Sequence, residues 1–326
     1  MYNPRDPGPG TAETNYSTGD FEFIEITNIG DERCDLAGLR LIDGIDYDWS
    51  YGEVRSLAPG ESSVAVENLE AFKIRYPGWA SMNVSGQYRG NFDNGGERVK
   101  LVSVWGTTNA LFEYNDSRSW PQAADGAGHS LVPLILTNQG SRILDYGRNW
   151  RPSRYRDGSP GETNAAPEPT VVLNEIVAHS DYYNASKPEY DSNDWIELFN
   201  AASTNVAMTD WYLSDSASDL RKWLVPTGTV VALQSFLSFD EVDHFHSPIT
   251  NGFGLNKASE SVFLSHLPHT GPGRVVDCIR FKGQENSIAW GRYPDGNPYW
   301  QTLSATRDAI NPEPSRHLRL SEIMYN

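Results

Sequence analysis

Trp195-Ile196-Glu197-Leu198-Phe199-Asn200 decides how this chain is read, because it has a counterpart near the start, Phe23-Ile24-Glu25-Ile26-Thr27-Asn28. Outward from that pair, further segments match in the same order. Cys34-Asp35-Leu36-Ala37-Gly38-Leu39-Arg40-Leu41 answers Val206-Ala207-Met208-Thr209-Asp210-Trp211-Tyr212-Leu213. Leu57-Ala58-Pro59-Gly60-Glu61 answers Val225-Pro226-Thr227-Gly228-Thr229, and Gly95-Gly96-Glu97-Arg98-Val99-Lys100-Leu101 answers Ala258-Ser259-Glu260-Ser261-Val262-Phe263-Leu264. Each copy closes on a tryptophan, Trp150 or Trp300, and then a proline-bearing turn. Matches in one order specify two copies of one fold.

Each matched segment is short, rich in aromatic and branched side chains, and bounded by Gly, Pro, Asn or Asp. Those are strand signals, and about seven per copy predict an all-β chain of two β-sandwiches in tandem. The prolines of Ala165-Ala166-Pro167-Glu168-Pro169-Thr170 resist both helix and sheet, so this stretch reads as the linker. Only Leu69-Glu70-Ala71-Phe72-Lys73-Ile74-Arg75-Tyr76, before Pro77, reads as helix. The expected domains are 1–166 and 167–316, with 317–326 opening a further repeat.

That last segment is informative. Leu318-Arg319-Leu320-Ser321-Glu322-Ile323-Met324-Tyr325-Asn326 resembles Val171-Val172-Leu173-Asn174-Glu175-Ile176-Val177, and its final Met-Tyr-Asn repeats Met1-Tyr2-Asn3. The economical reading is a slice of a tandem array in which the 1–166 domain lacks its own first strand. Such a domain has an open edge with unpaired backbone groups. The tail is expected to fill it by strand donation, burying Leu318, Leu320 and Ile323 and setting Glu322 in register with Glu25. Donation between chains builds head-to-tail assemblies that do not close; donation within a chain gives a capped monomer.

Composition narrows the function. The net charge is −17 and both copies share it: residues 1–166 carry 23 acidic and 15 basic side chains, residues 167–316 carry 19 and 10. Nucleic-acid affinity comes largely from cations neutralising phosphates, so this surface argues against nucleic-acid and anionic-membrane partners. No apolar run approaches a membrane span. Cys34 and Cys278 fall one in each domain among apolar neighbours, and both read as buried free thiols.

The second copy carries a family resemblance. Leu173-Asn174-Glu175-Ile176, Asp194 through Asn200, Asp210-Trp211-Tyr212-Leu213-Ser214-Asp215, Phe253-Gly254-Leu255, Gly291-Arg292-Tyr293-Pro294-Asp295-Gly296 and Trp300 together resemble a lamin tail domain. The first copy is similar but diverged. It keeps Glu25, Asn28 and His129-Ser130-Leu131, has Pro133 near the place of Arg292, and carries an insertion over roughly residues 67–91. The resemblance implies immunoglobulin-like sandwiches and no catalytic residue set. In bacteria it implies repeats beside exported hydrolase, adhesion or spore-coat-like domains.

Several constellations still call for a chemical reading. Glu175 and Glu197 lie on the first two strands of the second copy among aromatics, the pattern of a general acid and base. The competing expectation is structural: Arg292 or a backbone amide satisfies them, because buried charge must be paired. Glu25 and Glu322 are their equivalents. The run from Asp181 to Asp194 reads first as a solvated acidic loop and second as a calcium site on Asp181, Asp191 and Asp194. His244, His246, His266 and His269 lack a zinc or triad motif and read as loop histidines. Trp49, Trp79, Trp105 and Trp120 are the tryptophans expected to be free for a glycan face.

The expectation is therefore a non-enzymatic spacer or protein-binding module of a larger exported or cell-surface bacterial protein. Its partners would be other domains of that protein or a surface protein, and no cofactor is required. The alternative is a carbohydrate- or calcium-dependent binding module that targets an attached hydrolase.

Overall fold

The computed structural model describes the chain except at residues 118, 135–141, 169, 247–251, 315–320, 323 and 325–326. Strands account for 33% and helices for 11%, so the architecture is all-β. No helix among the described residues is long and apolar enough to cross a membrane. The chain divides into two compact units, Met1–Pro167 with Thr270–Val275, and Glu168–His269 with Val276–Asn326. Leu318, Leu320 and Ile323 lie outside the described residues. Glu322 is described; it is exposed and belongs to no strand.

In the first unit the main strands are β1 (Phe23–Thr27), β2 (Arg40–Asp43), β3 (Ser62–Val66), β4 (Val84–Gln87), β5 (Arg98–Val102), β6 (Thr108–Glu113), β7 (Leu131–Pro133) and β8 (Trp150–Pro152). They form a β1-β3-β4 sheet, a separate β7-β8 pair, and a sheet in which β2, β5 and β6 follow Tyr47–Asp48. The insertion builds helix α1 (Leu69–Arg75) and β4, which runs parallel to β3. Asn68 starts the helix, its Oδ1 accepting from the Glu70 and Ala71 N–H groups. Tyr76 ends it before Pro77, as expected, and Phe72 packs edge-on to Phe23 at 6.2 Å.

The second unit contains β9 (Val171–Val177), β10 (Trp195–Asn200), β11 (Trp211–Ser214), β12 (Phe236–Asp240), β13 (Ser259–His266), β14 (Arg274–Lys282, from Val276 onward), β15 (Ile288–Arg292) and β16 (Trp300–Ser304). One sheet runs β12-β10-β9-β15-β16 and another runs Trp223–Leu224, β11, β13, β14. Val171, Leu173, Ile176, Ile196, Leu198, Leu213, Val262, Leu264 and Phe281 form a core with almost no exposure. Each such side chain contributes about 1.5–3 kcal/mol on leaving water. Burial, not chain geometry, therefore sets the register of β9 and β10.

Two expectations about side chains fail. Cys34 is exposed, because its two-residue strand lies on an outer pair with Ser56–Leu57; Cys278 is half-buried, and neither cysteine forms a disulfide. Trp49 and Trp120 are core residues, Trp49 fully buried with its Nε1 donating to Ser63 Oγ at 3.1 Å. Trp79 is half-covered, with Lys73 Nζ 4.8 Å from its ring centre. Of the four tryptophans, Trp105 alone stands open, at 89% exposure.

Candidate functional site

The glutamates of the second unit meet where β9 crosses the sheet. A bulge between Leu173 and Glu175 places Glu175 directly opposite Glu197. Both are fully buried, and like charges facing across strands repel. The fold answers with hydrogen bonds. Glu175 accepts from the Thr306 N–H and Oγ1, each at 2.9 Å. Glu197 accepts from Asn174 Nδ2 at 2.9 Å and the Asp308 N–H at 2.5 Å. Burial, opposed by those two bonds, pushes the Glu197 carboxyl up to about 8. Burial also raises Glu175. With every carboxylate oxygen engaged by the protein, the pair acts as a joint between strand and closing loop.

Arg292, expected to pair with one of these carboxylates, has another role. Its Nη2 donates to Asp277 Oδ2 at 2.7 Å and its Nε to the Leu173 carbonyl at 2.6 Å, while the Leu173 N–H donates to Asp277 Oδ2 at 2.9 Å. Its guanidinium stacks on Trp300 at 4.6 Å. The Arg292–Asp277 pair thus grips both backbone groups of Leu173, beside the bulge. One backbone amide each, from Thr306 and Asp308, holds the glutamates together with the Thr306 hydroxyl and the Asn174 side-chain amide.

The acidic loop does not converge. Asp194 is buried, accepts from Ser180 Oγ at 2.8 Å, and is pushed up to about 6 by burial. Asp181 is exposed and accepts from Asn286 Nδ2 at 2.6 Å, and Asp191 is exposed. Among the described residues no three His, Cys, Asp or Glu side chains are placed to hold a metal ion. The first copy's Asp43, Asp46 and Asp48 are taken up by arginines, Arg98 for the first and Arg40 for the others. The histidines divide. His269 is open, His246 bonds Glu241 Oε1 through Nδ1 at 2.5 Å, His244 lies 3.2 Å from Asp240, and His266 stacks on Trp211.

The same chemistry recurs in the first unit with one part missing. Glu25 Oε2 accepts from the Gly161 N–H at 2.5 Å, as Glu197 does from Asp308. Asn28 Nδ2 donates to the Glu32 and Leu57 carbonyls, as Asn200 does to Thr204 and Val231. Pro133 stands opposite Trp150, as Arg292 stands opposite Trp300. By these correspondences β3-β1 matches β12-β10 and β7-β8 matches β15-β16. What joins the two halves in the second unit is β9, paired with both β10 and β15. In the first unit no strand among the described residues joins β1 to β7.

Exposure records the difference. All six residues of β10 are buried, whereas in β1 only Phe23 is buried, Ile24, Glu25 and Ile26 are half-buried and Thr27 is exposed. The chain's first residues lie at one end of this strand position. Met1 exchanges two backbone bonds with Phe23, its amine donating to the Phe23 carbonyl at 2.6 Å and its carbonyl accepting from the Phe23 N–H at 3.3 Å. It stands where Val177 stands opposite Trp195. Sequence reasoning missed this pairing, although the repeated Met-Tyr-Asn was its signal.

The first unit also holds a recess of about 340 Å³, lined among others by Asn3, Asp20, Glu22, Glu67, Asn91 and Phe92. Burial pushes Glu22 up to about 7, yet it is tied to the fold by the Phe92 N–H at 2.8 Å and the Tyr88 hydroxyl at 3.2 Å. No family model, curated protein or solved structure matches the chain.

Proposed function

We propose that this chain is a non-catalytic structural and interaction module, two immunoglobulin-like sandwiches of the lamin-tail type in tandem, from a larger exported or cell-surface protein. The observation that carries the reading is the divided sheet of the first unit, in which no strand among the described residues joins β1 to β7 as β9 joins β10 to β15. A strand position unpaired among the described residues and flanked by half-buried Ile24, Ile26 and Leu131 is suited to binding an extended segment by strand addition. Backbone pairing would supply affinity, and the apolar seats would select segments with aliphatic residues at the core-facing positions. The consumption of Glu175 and Glu197 by structural bonds supports the non-catalytic part of the reading.

A peptide spanning residues 170–178, which contains β9, tests it. Titrated with this peptide, the full chain should bind saturably, and the Glu25 and Thr27 amides should become protected from hydrogen exchange. A peptide with Leu173 and Ile176 replaced by Asp should leave them unchanged. Failure of the unmodified peptide to bind removes the strand-addition reading. A glycan-binding module is the second reading, favoured by exposed Trp105 beside exposed Val104. Glycan-array binding abolished by Trp105→Ala would establish it.

A further inference from the structure

The recess of the first unit carries chemistry that strand addition does not use, and we infer that it binds a small organic cation, an ammonium group on a hydroxylated body. Its lining holds the carboxyls of Asp20, Glu22 and Glu67 and the amides of Asn3, Asn91 and Asn94, and it includes no lysine or arginine. Asp20 is taken up by the fold. Its Oδ1 accepts from Asn68 Nδ2 at 2.9 Å, and its Oδ2 from the Ser17 N–H and hydroxyl, each at 2.7 Å. The other two carboxyls keep free oxygens. Glu22 is 2% exposed, and its bonds from the Phe92 N–H and the Tyr88 hydroxyl both fall on Oε2. Oε1 accepts no bond among the described residues and lies toward Gly19, where an added Cβ would stand 3.5 Å from it. Glu67 Oε2 is shut off from solvent and has no hydrogen-bond partner.

Buried carboxyls are costly until a proton or a cation meets them. Burial, opposed by the bonds from Phe92 and Tyr88, holds Glu22 at about 7, and Glu67 adds to the rise. Burial and neighbouring Asp20 raise Glu67 in turn. The Met1 amine, which also acts on Glu22, is pushed down to about 5 by burial and is uncharged at neutral pH. Size then selects the kind of cation. A calcium ion needs six to eight oxygens within about 2.6 Å, and no three acidic side chains among the described residues are placed to hold a metal ion. A recess of about 340 Å³ is in the range of a small-molecule site. Pro4 and Phe92 are its only apolar side chains, so the amides suit a body that carries hydroxyls. Charge-assisted hydrogen bonds from an ammonium to Glu22 Oε1 and Glu67 would take the place of the protons.

Glucamine and sorbitol, which differ by an ammonium in place of one hydroxyl, test this when titrated into the full chain by calorimetry and amide NMR. Glucamine should bind saturably, about tenfold or more tighter than sorbitol, and shift the Glu22, Glu67 and Phe92 amides. Glu67→Gln, which breaks no bond to the fold, should weaken glucamine about tenfold without lowering the melting temperature. Affinity should rise from about pH 6 to about pH 8, as the cation displaces the proton that Glu22 holds up to about 7, and Glu22→Gln should flatten the rise. Asp20 is held below the usual carboxylate range and Tyr88 above the usual phenol range, so neither changes charge in that window. Equal binding of sorbitol, no saturable binding, or affinity unchanged by Glu67→Gln overturns the inference. Nα-acetyl-lysine amide is the third probe. If it binds tighter than glucamine and is weakened by Glu67→Gln, the ammonium site stands and a protein side chain is its source.

Discussion

The strands β1 and β10 begin as the same sentence and end in different environments. Phe23-Ile24-Glu25-Ile26-Thr27-Asn28 and Trp195-Ile196-Glu197-Leu198-Phe199-Asn200 share a glutamate that receives a loop N–H and an asparagine that ties two carbonyls. One lies inside a five-stranded sheet with every residue buried; the other is the margin of a three-stranded one. The difference comes from a neighbour, β9, and from the arginine that grips it. A strand's burial is set by what pairs with it as much as by its own residues.

The largest break in the comparison should come from Arg292→Leu. It strands Asp277 in the core and frees Leu173, and losing one partner of a buried pair costs about 3–5 kcal/mol. Urea unfolding should show the second unit's transition moving while the first unit's stays in place. If both move equally, the units are not independent.

Asn200→Ala and Asn28→Ala compare the shared tie. Asn200 is fully buried and Asn28 half-buried, so Asn200→Ala should cost about 2–3 kcal/mol and Asn28→Ala about 1 kcal/mol. Equal costs would contradict the difference in environment.

A smaller effect concerns pH. Glu197 has its folded value raised from 4.5 to about 8, so the folded state holds more protons than the unfolded one between those values. Its contribution is therefore complete below the ordinary carboxylate value and is lost as pH rises through about 8. Melting temperature of the second unit should fall from about pH 5 to about pH 9, and Glu197→Gln should flatten the slope. A slope that survives the substitution assigns the dependence elsewhere. The smallest effect is at Cys34. Exposed, it should alkylate in the folded state faster than half-buried Cys278, with a stability change below about 0.5 kcal/mol. Equal labelling rates would refute the exposure difference.

The strands and the helix over Leu69–Arg75 were legible because aliphatic and aromatic runs between turn residues need no partner to be recognised. The join at Glu175 was legible only in part. Residue type announced a buried carboxylate, but the bulge that sets it against Glu197 depends on pairing across strands. Arg292 was misassigned because Asp277, its true partner, lies on β14 and carries no motif. Trp49 read as open because it lies in an irregular segment, yet long-range packing buries it.

Amide hydrogen exchange on β1 and β10 is the most direct test of the divided sheet. Phe23 turns its N–H and carbonyl toward Met1, and alternation along the strand points Glu25 and Thr27 the same way. In dilute protein the Glu25 and Thr27 amides should exchange orders of magnitude faster than those of Glu197 and Phe199. Protection equal to that of β10 at the lowest concentration would mean the position is already filled, and would contradict the account.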